Sequence, residues 1–121
     1  MALTITHCMK KAAWEAVQSD AYWGWESVER CGFMHCTGIP YLWRVLPNFE
    51  ADPDERVIVC MDADRLEAPV RWEDGGDTEG RLYPHVYGPI NNSAVTMVLP
   101  YLKDAEGRYR KNPEFEAIAD E

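Results

Sequence analysis

Three short strings carry all the histidines of this chain: Thr6-His7-Cys8, Gly32-Phe33-Met34-His35-Cys36-Thr37 and Tyr83-Pro84-His85-Val86-Tyr87-Gly88-Pro89. Near neutral pH an imidazole serves as acid, base, ligand or hydrogen-bond partner, so chemistry is sought first at His7, His35 and His85. The two His-Cys dipeptides invite a metal. Successive side chains on a strand point to opposite faces, so each dipeptide offers one member to a common site, and six ligands fall to about three. Three histidines can hold a catalytic zinc, but their spacing matches no recognised ligand motif, and no metal is expected. A nucleophilic thiolate needs a base on its own side of the strand, which the same geometry denies to Cys8 and Cys36. Cys60 lies in an apolar run and reads as a buried thiol.

Other reaction signatures are missing. The chain has no Gly-x-Ser-x-Gly elbow, no Gly-x-Gly-x-x-Gly, no phosphate-binding Walker loop and no Cys-x-x-Cys pair. What remains is a pocket built from His7, His35, His85 and Tyr87, with Glu73 or Arg71, rimmed by tryptophan. Aromatic walls with a few convergent polar groups suit a small molecule or a nucleotide-like ligand. The competing structural reading has each histidine buried and hydrogen-bonded for stability alone.

The elements that must position these residues follow from the pattern. Leu3 to Met9 alternates as a strand, Lys10 to Ser19 turns helical with Ala13, Trp14, Ala16 and Val17 on its apolar face, and Asp20 to Trp25 reads as a loop. Trp25 to Arg30 is a short helix ended by Gly32, and Phe33 to Thr37 a strand. Pro40 opens a helix over Tyr41 to Leu46 that Pro47 stops, and Asn48 to Glu55 is an exposed loop. Arg56 to Met61 is a strand buried on both faces, followed by a helical turn at Asp62 to Leu66. Val70 to Glu73 and Arg81 to Tyr87 are extended around Asp74 to Gly80, the most flexible-looking stretch. In a last strand, Ala94 to Leu99, Val95, Met97 and Leu99 share a face, and Asn91 to Ser93 makes a local turn.

With 121 residues the chain supports one domain, 1–121, with its core at about 3–108 and an acidic segment 109–121 ordered in part. Hydrophobic residues at 46% and charged residues at 27% mark a soluble globular composition. The net charge of −9 repels a phosphate backbone, so no general nucleic-acid binding is expected, although Arg44, Arg56 and Arg71 could form a local basic pocket. No apolar run approaches the roughly 18 to 20 residues of a membrane helix, and the amino terminus lacks a secretory pattern. A cytoplasmic protein with four free thiols is the expectation.

The order of the strings, with Trp14-Glu15-Ala16, Arg65-Leu66 and Val70-Arg71-Trp72-Glu73 between them, resembles a bacterial family known as domain of unknown function 952. The resemblance runs from about Thr4 to Arg108 and rests chiefly on the motifs Gly-Phe-aliphatic-His-Cys-Ser/Thr and Pro-His-aliphatic-Tyr-Gly-Pro. That family is grouped by fold with the ADP-ribosyltransferases. The resemblance therefore implies an α+β domain in which two small, strongly bent sheets form a cleft flanked by short helices. It also implies NAD or a related nucleotide as substrate and an atypical ADP-ribosyl-type activity. His7 would take the early-strand place that contacts the dinucleotide, with His35, Tyr87 and Arg71 as further contacts. His7, His35, His85 and Glu73 would form the catalytic set, Glu73 lying earlier in the chain than the glutamate of those enzymes. The alternatives are a binding module that kept the cleft without the chemistry and, ranked below it, a metal-dependent hydrolase using the three histidines.

Overall fold

The longest apolar run lies at the centre of the molecule. In this computed structural model, which describes residues 3–76 and 80–121, β5 (Arg56–Asp62) pairs along its length with β1 (Thr4–Lys10) and β9 (Val95–Pro100). With β4 (Thr37–Gly38) they form an antiparallel sheet in the order β4-β1-β5-β9. Alternation along β5 sends Val57, Val59 and Met61 to one face and Ile58 and Cys60 to the other, and each face meets its own buried cluster. Both faces are covered, as the unbroken run requires. Each fully buried aliphatic side chain contributes about 1.5–3 kcal/mol.

The first cluster joins Ile5 and Val59 to Trp14 of α1 (Lys11–Val17), Trp23 of β2 (Tyr22–Trp23), Met34 of β3 (Met34–His35) and Ile90 of β8 (Ile90–Asn91). The second joins Ile58 to Leu42 of α3 (Leu42–Val45), Leu46, Leu99 and Phe115. Between β2 and β3 runs a further helix, α2 (Trp25–Cys31), and Gly32 at φ +87° returns its N–H to the Val28 carbonyl. The second main sheet has the order β3-β7-β6, built from β7 (Leu82–Val86) and β6 (Val70–Asp74). A two-stranded pair, β2 with β8, completes the α+β architecture as a third sheet.

Several local expectations need correction. Phe33 to Thr37 is not one strand: Met34 and His35 pair with β7, Cys36 donates its N–H to the Pro84 carbonyl, and Thr37 passes into the other sheet beside β1. One short run thus serves two sheets. Tyr22 and Trp23, expected in a loop, form a strand because Trp23 is buried against Ile90 and its indole N–H reaches Asn92. On α1, Trp14 and Val17 pack inward, whereas Ala13 and Ala16 are exposed. Pro47 does not stop the chain's coiling; it sits in the first turn of a 3-10 segment, Leu46–Phe49, where its missing N–H costs nothing. In β9 a bulge opposite Cys60 and Met61 breaks the common face of Val95 and Leu99, sending one to each cluster and leaving Met97 outside.

The core also extends beyond 108. Phe115 is 1% exposed, and buried Asn112 donates to the Pro100 carbonyl and accepts from the Tyr109 hydroxyl, fixing the acidic segment to the second cluster. Of the stretch expected to be flexible, Asp77 to Glu79 lie outside the described residues. Among the described residues no helix is long and apolar enough to cross a membrane.

Candidate functional site

Register decides which side chains meet. His35 lies opposite His85, Arg71 opposite His85 on the other side, and Glu73 opposite Tyr83. Because alternate residues share a face, Phe33, His35, Arg71, Glu73, Tyr83, His85 and Tyr87 stand on one side of the β3-β7-β6 sheet. The other side presents Met34, Val70 and Val86 to the first cluster. Packing thus fixes the polar face from behind.

His85 is the centre of that face and is 6% exposed. Its Nδ1 bonds to Glu73 Oε1 at 2.9 Å, and the Tyr87 hydroxyl donates to the same oxygen at 2.5 Å. The Phe33 ring stacks on His85 at 4.1 Å between centroids, inclined 18°, while His35 meets His85 edge-on at 5.4 Å. The Arg71 guanidinium lies 5.0 Å over the Tyr87 ring. Hydrogen bonds from Tyr87 and then His85 hold the Glu73 carboxyl below the usual carboxylate range. The same bond to Glu73 pushes the Tyr87 phenol up, so it stays a donor. Partial desolvation, then the nearby His85, lowers the His35 imidazole.

The Glu73 carboxylate on Nδ1 selects the imidazole tautomer that carries its hydrogen there and leaves Nε2 as the acceptor. That is the disposition of an acid–base histidine with a positioning carboxylate. His35, Thr37, Arg44, Asn48, Tyr83 and His85 line a cleft of about 440 Å³. Arg44 and Asn48 come from α3 and the turn after it, which places positive charge across from the sheet.

His7 takes a different place. Its Nδ1 donates to the His35 carbonyl oxygen at 2.7 Å, so it abuts β3, but its ring lines a second cleft of about 430 Å³ together with Trp23 and Trp25. The expectation that all three histidines line one cleft is corrected here: His35 and His85 share one, and His7 faces its neighbour. Strand β3 divides them, His35 turning to one side and Met34 to the other. Burial lowers the His7 pKa against the opposing bond to His35, so the imidazole is neutral with its proton on Nδ1.

The basic pocket expected from three arginines also dissolves. Arg56 bonds to Asp52 at 2.8 Å and covers Phe49, Arg71 covers Tyr87, and Arg44 lines the cleft. Three of the thiols are poor nucleophiles: burial pushes Cys36 and Cys60 up to about 12 and raises Cys8 as well. No group of three or more His, Cys, Asp or Glu among the described residues is placed to hold a metal ion. Phe33, Asn48 and Tyr83 were not among the site residues expected from sequence, and Arg44 was expected only in a basic pocket with Arg56 and Arg71. Period-two spacing from His35 and His85 points to Phe33 and Tyr83, whereas nothing local places Arg44 or Asn48 beside the histidines.

The model of the family described as Protein of unknown function (DUF952) matches residues 8–98. The chain belongs to this family. Among solved structures, this DUF952 protein is similar to CC0527 from Caulobacter crescentus. The crystal structure of CC0527 superimposes with a TM-score of 0.66 at 22% identity, covering 88% of this chain and 93% of the other. The solution NMR structure gives 0.70 at 23%, covering 87% and 90%. At these identities the likeness shows the α+β fold; the ADP-ribosyltransferase affinity expected from the motifs is not among what it shows. No curated protein matches this DUF952 chain.

Proposed function

We propose that the protein is an enzyme acting on a nucleotide-like substrate in the cleft lined by His35 and His85, with His85 as the acid–base group. The observation that carries this reading is the shared Glu73 oxygen, bonded by both His85 Nδ1 and the Tyr87 hydroxyl on the sheet face that adjoins the cleft. Glu73 positions the imidazole and balances the charge that His85 gains when it takes a proton; Tyr87 and Arg71 position Glu73 in turn. His35 and Arg44 supply polar and cationic contacts suited to a phosphate-bearing ligand.

In its finer form the reaction is an atypical ADP-ribosyl transfer from NAD. The bond between the ribose C1′ and nicotinamide breaks, its electron pair leaving with neutral nicotinamide. An acceptor such as water attacks C1′, and His85 Nε2 takes the acceptor's proton. A cleft of about 440 Å³ suits one nucleoside half of NAD better than the whole dinucleotide. The second half would have to cross β3 towards His7.

One observation favours a non-catalytic alternative. Among the described residues lining the cleft there is no carboxylate, Glu73 lying behind His85, so an oxocarbenium-like transition state would lack a facing negative charge. A binding module would be stabilised by nucleotides without consuming them. Incubation with NAD, followed by nicotinamide release, separates the two. The enzyme reading predicts release that falls by about 10²-fold or more in His85→Gln, within the usual range for an acid–base group. Nucleotide-induced stabilisation without release supports the module, and the absence of both effects would contradict both readings.

A further inference from the structure

The second cleft differs in chemistry from its neighbour and takes no part in the acid–base step at His85. Its walls are aromatic: Tyr22 and Trp23 come from β2 and Trp25 opens α2, with Trp25 56% exposed. The polar groups lining it are mainly acceptors. His7 gives its Nδ1 hydrogen to the His35 carbonyl and keeps the Nε2 lone pair for a ligand. The Tyr22 hydroxyl donates to Glu67 Oε1, leaving its own oxygen as an acceptor, and the Trp23 indole N–H is given to Asn92 Oδ1. Asp20 and Glu26 add two carboxylates, and no lysine or arginine is among the described lining residues. The adjoining cleft has the reverse pattern, with Arg44 and no carboxylate among its described lining residues.

The cleft is built in advance of any ligand. Gly24, at φ +95°, separates the two tryptophans, and a Cβ there would stand 2.7 Å from the Met34 sulfur. Met34 therefore packs directly on the Gly24 backbone to form the floor.

We propose that this second cleft binds an organic ammonium, a protonated amine carried on an apolar or aromatic body. The exposed Trp25 ring attracts the charge by cation–π interaction, the carboxylates complement it, and His7 Nε2 and the Tyr22 oxygen accept ammonium hydrogens. A protein of net charge −9 also raises the local concentration of cations.

The test uses the full chain at neutral pH with benzylammonium and benzyl alcohol, which differ chiefly in charge, followed by calorimetry and amide chemical-shift mapping. Benzylammonium should saturate and shift the amides of Trp23, Gly24 and Ser27, with benzyl alcohol about tenfold weaker. Glu26→Gln and Trp25→Leu, both at exposed positions, should each weaken benzylammonium about threefold, and His85→Gln should leave it unchanged. Equal affinity for the alcohol, shifts confined to the His35–His85 cleft, or no saturation with benzylammonium would overturn the proposal. None of these outcomes bears on nucleotide binding next door.

Discussion

Two hydrogen bonds converging on one oxygen make Glu73 the residue on which the His85 arrangement depends. Its carboxyl is held down in pKa, so the stability it lends is present above the ordinary carboxylate range and is lost as pH falls through its folded value. His7 and His35 act at higher pH. Their imidazoles are held below the ordinary value of about 6.5, so below that pH the unfolded chain binds protons that the folded chain refuses. Stability therefore declines as pH falls from about 7 towards 5. His7→Gln keeps a donor for the His35 carbonyl but cannot titrate, and urea midpoints measured across that range should fall less steeply than in the parent. An unchanged slope would mean that His7 is protonated equally in both states.

At the scale of elements, the segment from Gly32 to Gly38 determines where the histidines go. Its residue types announce a strand, and Met34–His35 and Thr37–Gly38 are indeed extended. Nothing in those residues signals the change of sheet at Cys36, which follows from the long-range pairing of β7 and β1. For that reason the candidate site was legible as a set of residues but not as a partition: alternation places Phe33, His35, His85 and Tyr87 on one face, while the division from His7 appears only once β3 stands between two clefts. The bulge in β9 and the short β2 strand were hidden for the same reason. Gly32 was readable as a helix stop from its chemistry alone. Gly24 was not, although among the described glycines it alone combines a left-handed backbone with a blocked Cβ position: φ is +95° and a Cβ would stand 2.7 Å from the Met34 sulfur. Gly24→Ala should lower unfolding free energy by about 1–3 kcal/mol in urea titration, the usual cost of a strained left-handed residue with a displaced neighbour. A change within a few tenths would show that Met34 yields freely.

Across the whole molecule, the central sheet is covered on both faces, and its second face is closed by the chain's end. The acidity of residues 109–121 gives no hint of this role, since only Phe115 and Asn112 carry it and their partners lie far back in the sequence. The double-sided β5, by contrast, was plain from its unbroken apolar run. Phe115→Ala should cost about 3–5 kcal/mol by leaving a cavity against Leu46 and Ile58, measured as a fall in urea midpoint at unchanged slope. A loss below about 1 kcal/mol would mean that the segment packs only loosely.

The central claim is that the His85 face and its cleft receive a nucleotide-like ligand. Thermal unfolding of the parent and His85→Gln proteins against increasing AMP, ADP-ribose and NAD tests it most directly. The account predicts a saturable rise for the parent with at least one of the three, about 2.7 kcal/mol of stabilisation at a hundredfold excess over Kd, and its loss in His85→Gln. No rise with any of them, or an equal rise in both proteins, would contradict it.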